Sequence, residues 1–249
     1  MIIVRSIAFN VLFYLVLVAY LVVAMPTLAL PRMGIIRLAQ HWGRTNLWLL
    51  RIVCGITVEW RGLEKLPAGA VLVAAKHQSV WETFALLTLF RDPTYILKRE
   101  LLWLPLFGWA AWRAGMIPVD RGRGKPALAA MATGVRAALA AGKQVIIFPE
   151  GTRRPPGAEP RYKHGIAHLY GEGGAPCVPV ALNSGLFWPR RKFLRYPGTV
   201  TAEVLDPIAP GLDIDVFFDR LQHDLEAATA RLIRDAECHG RAGSDPAAV

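Results

Sequence analysis

Two short polar runs interrupt an otherwise apolar chain, and their residue types are those that move protons and hold anions. Lys76–Glu82, K-H-Q-S-V-W-E, places His77 five residues ahead of a carboxylate, Glu82. Phe148–Arg153, F-P-E-G-T-R, brings together Glu150, a Gly151-Thr152 turn and Arg153. An imidazole titrates near neutrality, so His77 can take the proton of an alcohol, a step worth about 10²–10⁴-fold. A carboxylate on the opposite ring nitrogen would fix the tautomer and stabilise the imidazolium as it forms. In the second run, the guanidinium forks of Arg153 and Arg154 match phosphate oxygens. Gly151 permits close backbone approach, Thr152 offers a hydroxyl and an N–H, and Glu150 either holds an arginine or organises the loop. A base beside an anion clamp points to transfer onto a phosphate-bearing alcohol.

Each run follows a strand-like segment, Val71–Ala75 before the first and Gln144–Phe148 before the second. Ile56–Arg61, Thr94–Leu97, Met116–Val119, Cys177–Leu182 and Thr199–Leu205 also read as strands. Helical patterns cover Trp81–Phe90, Ala127–Ala141 up to the stop at Gly142, Gly165–Gly171 and Val216–Ala236. This alternation predicts an α/β domain over residues 56–238 with a mixed, mostly parallel sheet. Ligands of such sheets sit in the crevice at strand ends, where both polar runs fall. Residues five apart on one helix lie about 140° from each other, so His77 and Glu82 can meet only if His77 precedes the helix. Ser79-Val80-Trp81-Glu82 spells a capping box, which starts the helix near Ser79 and leaves Glu82 both a capping and a catalytic reading.

The domain is preceded by an apolar segment. Ser6–Pro31 is 26 residues without a charge, roughly 39 Å as a helix against roughly 30 Å of hydrocarbon. A signal peptide has a shorter apolar run, so membrane anchoring is the expectation. Residues 34–55 interleave Ile35, Ile36, Leu38, Leu49 and Leu50 with Arg37, His41, Arg44 and Arg51. They read as interfacial helices, or as amphipathic helices packed on the protein's own core. Residues 1–55 are therefore expected to be a membrane module and 239–249 a disordered tail. Arg32, Arg37 and Arg44 after the apolar run favour a cytoplasmic catalytic domain at the inner membrane.

Lysine and arginine exceed aspartate and glutamate by 29 to 19, a net charge of +10. Nucleic acid, anionic lipid and an acidic carrier protein all answer to such a surface. No zinc finger, RNA-binding signature or long basic tract supports nucleic acid, and the apolar segment favours lipid. Three scattered cysteines form neither a disulfide framework nor a zinc site. His164 and His168 lack the H-E-x-x-H context of a metal pair, so no metal site is assigned. Lys98 and Arg121 flank an uncharged string, Leu101–Trp112, and can add positive charge at a phosphate. That string, with Trp103, Trp109 and Trp112, reads equally as membrane-facing surface, acyl-chain lining or core. Arg121–Lys125 is not a Walker loop.

In order along the chain, His77–Glu82, Lys98–Arg121, F-P-E-G-T-R at Phe148–Arg153 and V-P-V-A-L-N at Val178–Asn183 resemble the four blocks of the glycerolipid acyltransferase family, the lysophosphatidic acid acyltransferases among them. The resemblance covers residues 56–205. It implies a glycerol-3-phosphate acyltransferase-like α/β fold and no cofactor. It further implies direct acyl transfer from coenzyme A or acyl carrier protein to the sn-2 hydroxyl of a lysophospholipid such as 1-acylglycerol 3-phosphate. His77 would be the base, Glu82 its orienting carboxylate and Arg153 the phosphate ligand. Glu150, Gly151 and Thr152 would lie in the same binding loop, with Lys98 and Arg121 assisting. Another lyso-lipid acceptor, such as a lyso-ornithine lipid, and a non-catalytic membrane-binding protein are the alternatives. Two residues depart from the family pattern: Glu82 stands where aspartate is usual, and Lys76 where asparagine is common. Lys76 would either tune His77 or contact an anionic donor.

Overall fold

The computed structural model describes residues 1–27, 31–120, 122 and 124–242. Its frame is a single sheet of β1 (Ile56–Arg61), β2 (Val71–Ala75), β3 (Pro93–Lys98), β4 (Ile117–Val119), β5 (Gln144–Ile147), β6 (Cys177–Leu182) and β7 (Gly198–Val204). The strand order is β1-β7-β6-β2-β5-β3-β4. Every neighbouring pair is parallel except β6 and β7, so the sheet is mixed and mostly parallel, as expected. The helices are α1 (Ile2–Thr27), α2 (Arg32–Leu49), α3 (Trp81–Ala85), α4 (Phe107–Arg113), α5 (Lys125–Ala140), α6 (Gly165–Gly173), α7 (Ser184–Phe187) and α8 (Ile214–Ala242).

Covered on both faces, β2 is apolar throughout and every one of its residues is buried. Its side chains alternate between two packed layers. Leu72 and Ala74, with Val145, Ile147 and Ala181, meet α5, α6 and α8. Val71, Val73 and Ala75, with Ile146, Val178 and Val180, meet Leu86, Leu87, Phe90 and Tyr95. The C-terminal helix α8 runs two residues earlier and six later than its pattern predicted. Asp213 Oδ1 caps its start, accepting the Asp215 and Val216 amides at 2.9 and 3.3 Å. Of the expected disordered tail, residues 243–249 lie outside the described residues, and 239–242 belong to α8.

The first 55 residues are packed onto this frame. Phe9 and Phe13 of α1 are buried in a cluster with Trp81, Phe84 and Trp188. Polar bonds reinforce the contact: Arg5 Nε donates to the Val53 carbonyl at 2.5 Å, and the Arg195 amide donates to Ser6 Oγ at 2.9 Å. Arg195 also reaches Asn10 Oδ1 at 2.9 Å and lies over the Trp188 ring. Burial pushes its guanidinium pKa down to about 10. Helix α2 takes the second of its two readings. Ile35, Ile36, Gln40, Gly43 and Asn46 are buried, and Gln40 Nε2 donates to the Phe90 carbonyl at 2.7 Å. Arg32 pairs with Asp92 at 2.6 Å. Most of α1 nevertheless stays uncovered: 17% of its most apolar window is buried.

Candidate active site

The parallel strands β5, β2 and β6 lie side by side, with Ala74 opposite Ile147 and Ala75 opposite Val180. Their carboxyl ends therefore deliver Glu150, His77 and Ser184 to one edge of the sheet. The two polar runs of the sequence are neighbours here, and hydrogen bonds staple them together. The His77 amide donates to Glu150 Oε2 at 3.0 Å, while the Arg154 amide donates to the His77 carbonyl at 2.7 Å.

His77 lies in the turn after β2, and Glu82 in the first turn of α3 reaches back to it. Glu82 Oε1 meets His77 Nδ1 at 2.8 Å. The same oxygen accepts the Gln78 and Ser79 amides at 2.7 and 2.6 Å. Glu82 Oε2 accepts the Ser184 hydroxyl at 2.8 Å. The carboxylate is wholly buried and hydrogen-bonded through both oxygens, which fixes its position. The capping and orienting arrangements, alternatives in the sequence, coexist on one side chain. His77 stacks on Phe148 at a centroid distance of 4.0 Å. With Nδ1 committed to Glu82, Nε2 is the ring nitrogen left for a reactant.

Beside His77 opens a cavity of about 390 Å³. Its wall is almost entirely apolar: Leu17, Leu21 and Ala24 come from α1, Leu38 and Trp42 from α2, and Phe107, Ala110 and Ala111 from α4. This volume lies within the range of small-molecule pockets, and its lining suits a hydrocarbon chain. Lys98 lines the same cavity but is half-exposed and paired with Glu100 at 2.8 Å.

The F-P-E-G-T-R loop divides its labour in a way the sequence did not specify. Glu150 was expected in the substrate-binding loop, either holding an arginine or organising that loop. It is 3% exposed, with one oxygen on Lys76 Nζ at 2.8 Å and the other on the His77 amide. Glu150 therefore shapes the loop from behind. Gly151 carries the left-handed turn at φ +65°, a conformation that side chains rarely adopt. Thr152 is exposed and Arg153 half-buried. Burial lowers the Arg153 pKa, as do the neighbouring Arg190 and Arg191 charges, while Glu82 opposes them. An arginine remains charged at neutral pH despite such a shift. Among the described residues, no acidic side chain pairs with the Arg153 guanidinium. Arg121, expected to assist, lies outside the described residues.

Lys76 makes its contacts behind the site. It is 4% exposed and bridges Glu150 to Glu226 of α8 at 2.8 and 2.7 Å, with the Tyr162 ring below it. The Tyr162 hydroxyl also donates to Glu226 at 2.8 Å, and burial, with Glu226 second, raises its pKa far above the usual range.

Sequence reasoning missed Ser184, Arg190 and Glu226. Ser184 was within reach, because it follows the V-P-V-A-L-N strand as His77 follows β2. Arg190, whose Nη1 donates to the Arg153 carbonyl at 2.6 Å, lies in a basic run with no motif. Glu226 on an amphipathic helix looks like any solvated glutamate.

Known proteins resemble this chain in sequence and in fold. The acyltransferase family model matches residues 57–183. The 1-acyl-sn-glycerol-3-phosphate acyltransferase of Pseudomonas aeruginosa is 43% identical over 161 residues, 65% of this chain and 63% of that protein. The match thus spans just under two thirds of that relative's length. The 1-acyl-sn-glycerol-3-phosphate acyltransferase alpha of Homo sapiens is 31% identical over 81% of this chain and 72% of its own. In fold, the crystal structure of the 1-acyl-sn-glycerophosphate (LPA) acyltransferase of Thermotoga maritima superposes with a TM-score of 0.75. That likeness covers 93% of this chain and 99% of the other at 20% identity, so it speaks for the fold alone. From the family match across both polar runs and relatives spanning most of the sequence, the chain belongs to the acyltransferase family.

Proposed function

We propose that the chain transfers a fatty acyl group from a thioester of coenzyme A or acyl carrier protein to the sn-2 hydroxyl of 1-acyl-sn-glycerol 3-phosphate, giving phosphatidic acid. The observation that carries this reading is the His77–Glu82 pair, closed at 2.8 Å on the wall of an apolar cavity and adjoining Arg153. His77 Nε2 takes the proton of the acceptor hydroxyl as its oxygen attacks the thioester carbonyl. Glu82 holds the ring by Nδ1 and stabilises the imidazolium. The tetrahedral intermediate collapses with cleavage of the carbon–sulfur bond, and the proton held by His77 passes to the departing thiolate. Arg153 binds the acceptor phosphate through its planar fork, while Gly151 and Thr152 shape and line that contact. Lys98, which lines the same cavity, adds positive charge there, and Arg121 is assigned the same assisting role. The relatives' names support the same acceptor.

Membrane association through α1 fits a substrate that resides in lipid. Because Arg5, Ser6 and Asn10 are bonded to the domain, α1 lies against it rather than standing free. We place the catalytic domain on the cytoplasmic face of the inner membrane, where both thioester donors occur.

The test is an assay of the full chain in detergent, with 1-acyl-sn-glycerol 3-phosphate and each donor, following phosphatidic acid. Wild type should form it, and His77→Ala should fold and form none. Turnover by His77→Ala at the wild-type rate would remove the base. Preferential acylation of a lyso-ornithine lipid would reassign the acceptor.

A further inference from the structure

Between the cavity and solvent stands a segment that the catalytic reading does not use. Leu101–Trp112 carries no charged side chain. It comprises the end of a 3-10 turn, Arg99–Trp103, and most of α4. Helix α4 is apolar on two faces. Phe107, Ala110 and Ala111 line the cavity, whereas Trp109 and Trp112, three apart on the other side, are 55% and 72% exposed. Trp103 at 72% and Leu104 at 49% extend the outer face. Single exposed apolar residues are ordinary, but a contiguous cluster containing three tryptophans marks an interaction surface.

The occupant is indicated by what adjoins the cluster. Helices α1 and α4 pack together and share the cavity wall. Helix α1 carries its own uncovered stripe, Val11, Leu15, Val18 and Val22, spaced four, three and four residues apart. That spacing puts them on one helix face. The tryptophan cluster therefore continues the surface of the helix that associates with membrane. An acidic protein partner would find no cation from Leu101 to Trp112; on one flank Lys98 and Arg99 are paired with Glu100 and Asp120, and on the other Arg113 is half-buried. Tryptophan, with an apolar body and one N–H, instead suits the headgroup level of a bilayer.

We propose that Trp103, Trp109 and Trp112 form a shelf that inserts into the headgroup–acyl boundary of a phospholipid bilayer, a second membrane contact beside α1. Insertion sets the α4 wall of the cavity at the depth of the acyl chains, so the protein docks with its cavity against its lipid source. The inference concerns binding and stands whether or not the acyl-transfer reading holds.

The experiment uses the full chain on phosphatidylcholine–phosphatidylglycerol vesicles whose acyl chains are brominated at a shallow or a deep position. Helix α1 contains no tryptophan, so quenching by bromine reports on the rest of the molecule. Wild type should show strong shallow quenching, and the triple variant Trp103→Phe/Trp109→Phe/Trp112→Phe should lose most of it. The triple serine variant should partition onto vesicles about tenfold less or weaker. It should also turn over a monomeric short-chain acceptor at the wild-type rate, since none of the three side chains lines the cavity. If these tryptophans stay open to aqueous acrylamide on vesicles and unquenched by bromine, the proposal is wrong. It is equally wrong if the serine variant converts a dimer to a monomer with vesicle binding unchanged, for the shelf would then be a subunit contact. Should the serine variant misfold, the phenylalanine variant decides alone.

Discussion

Glu82 Oε1 lies 2.8 Å from His77 Nδ1 and, through the same atom, caps the turn that carries the histidine. One carboxylate oxygen thus fixes both the ring and the backbone beneath it. Charge and shape can be separated by substitution. Glu82→Gln keeps an acceptor for the Gln78 and Ser79 amides and a neighbour for Ser184, but removes the anion that stabilises the imidazolium. Turnover should fall about 10²–10⁴-fold while the protein unfolds cooperatively with a loss of about 1–3 kcal/mol. Glu82→Asp keeps the charge and should retain more activity than Glu82→Gln. The reverse ranking would mean that capping, not charge, is what the reaction needs.

A second prediction concerns the strut behind the site. Lys76 is flanked by Glu150 and Glu226, and its removal leaves Glu150 buried without its cation. Breaking a buried pair by deleting one partner costs about 3–5 kcal/mol. Glu226 is 28% exposed and recovers some solvation, so Lys76→Met should sit at the lower end, about 3 kcal/mol, lowering Tm by roughly 6–12 °C. Calorimetry checks this directly. A large fall in turnover with unchanged Tm would instead make Lys76 a participant in the chemistry.

Both outcomes bear on what the sequence disclosed. Strand ends, helix starts and the two polar runs were legible because they depend on local pattern: β2 and β6 fall at their expected residues, and the capping box places His77 outside α3. The buried partner of Glu150 was not legible. Whether a glutamate faces a crevice or a buried lysine depends on which strands are neighbours, and Lys76 and Glu226 stand 150 residues apart. Ser184 could have been read by applying the strand-end rule to β6. The packing of α2 on the domain could not, since an amphipathic stripe looks alike facing a bilayer or a core.

The third prediction follows from Arg153, whose guanidinium pairs with no acidic side chain among the described residues. Charge-assisted hydrogen bonds contribute about 1.5–3 kcal/mol, so Arg153→Ala should raise the acceptor KM about 10–150-fold. The donor KM should hardly change. Arg153→Lys keeps the charge without the fork and should fall between. Arg190→Ala, which releases the Arg153 carbonyl and one neighbouring charge, should weaken the acceptor by a smaller factor with kcat preserved. Steady-state kinetics with each substrate varied separates these effects. A rise confined to the donor KM would move the phosphate site elsewhere.

The apolar cavity makes the last prediction. Ala110 of α4 lines it and is half-buried, so Ala110→Leu adds methyl groups to the wall while leaving the helix backbone and His77 untouched. If the cavity holds an acyl chain, the added bulk displaces methylenes at its level, each worth about 0.8 kcal/mol or roughly fourfold in binding. Two displaced methylenes would then shift the preference between a long and a short acyl donor, or acceptor, by about sixteenfold toward the short one. The substrate that responds identifies whose chain the cavity takes, because the other should keep its length profile. Competition assays with paired chain lengths measure the ratio independently of enzyme concentration. A uniform loss across all lengths of both substrates would show that α4 supports the fold without touching a chain, and the cavity would lose its assignment.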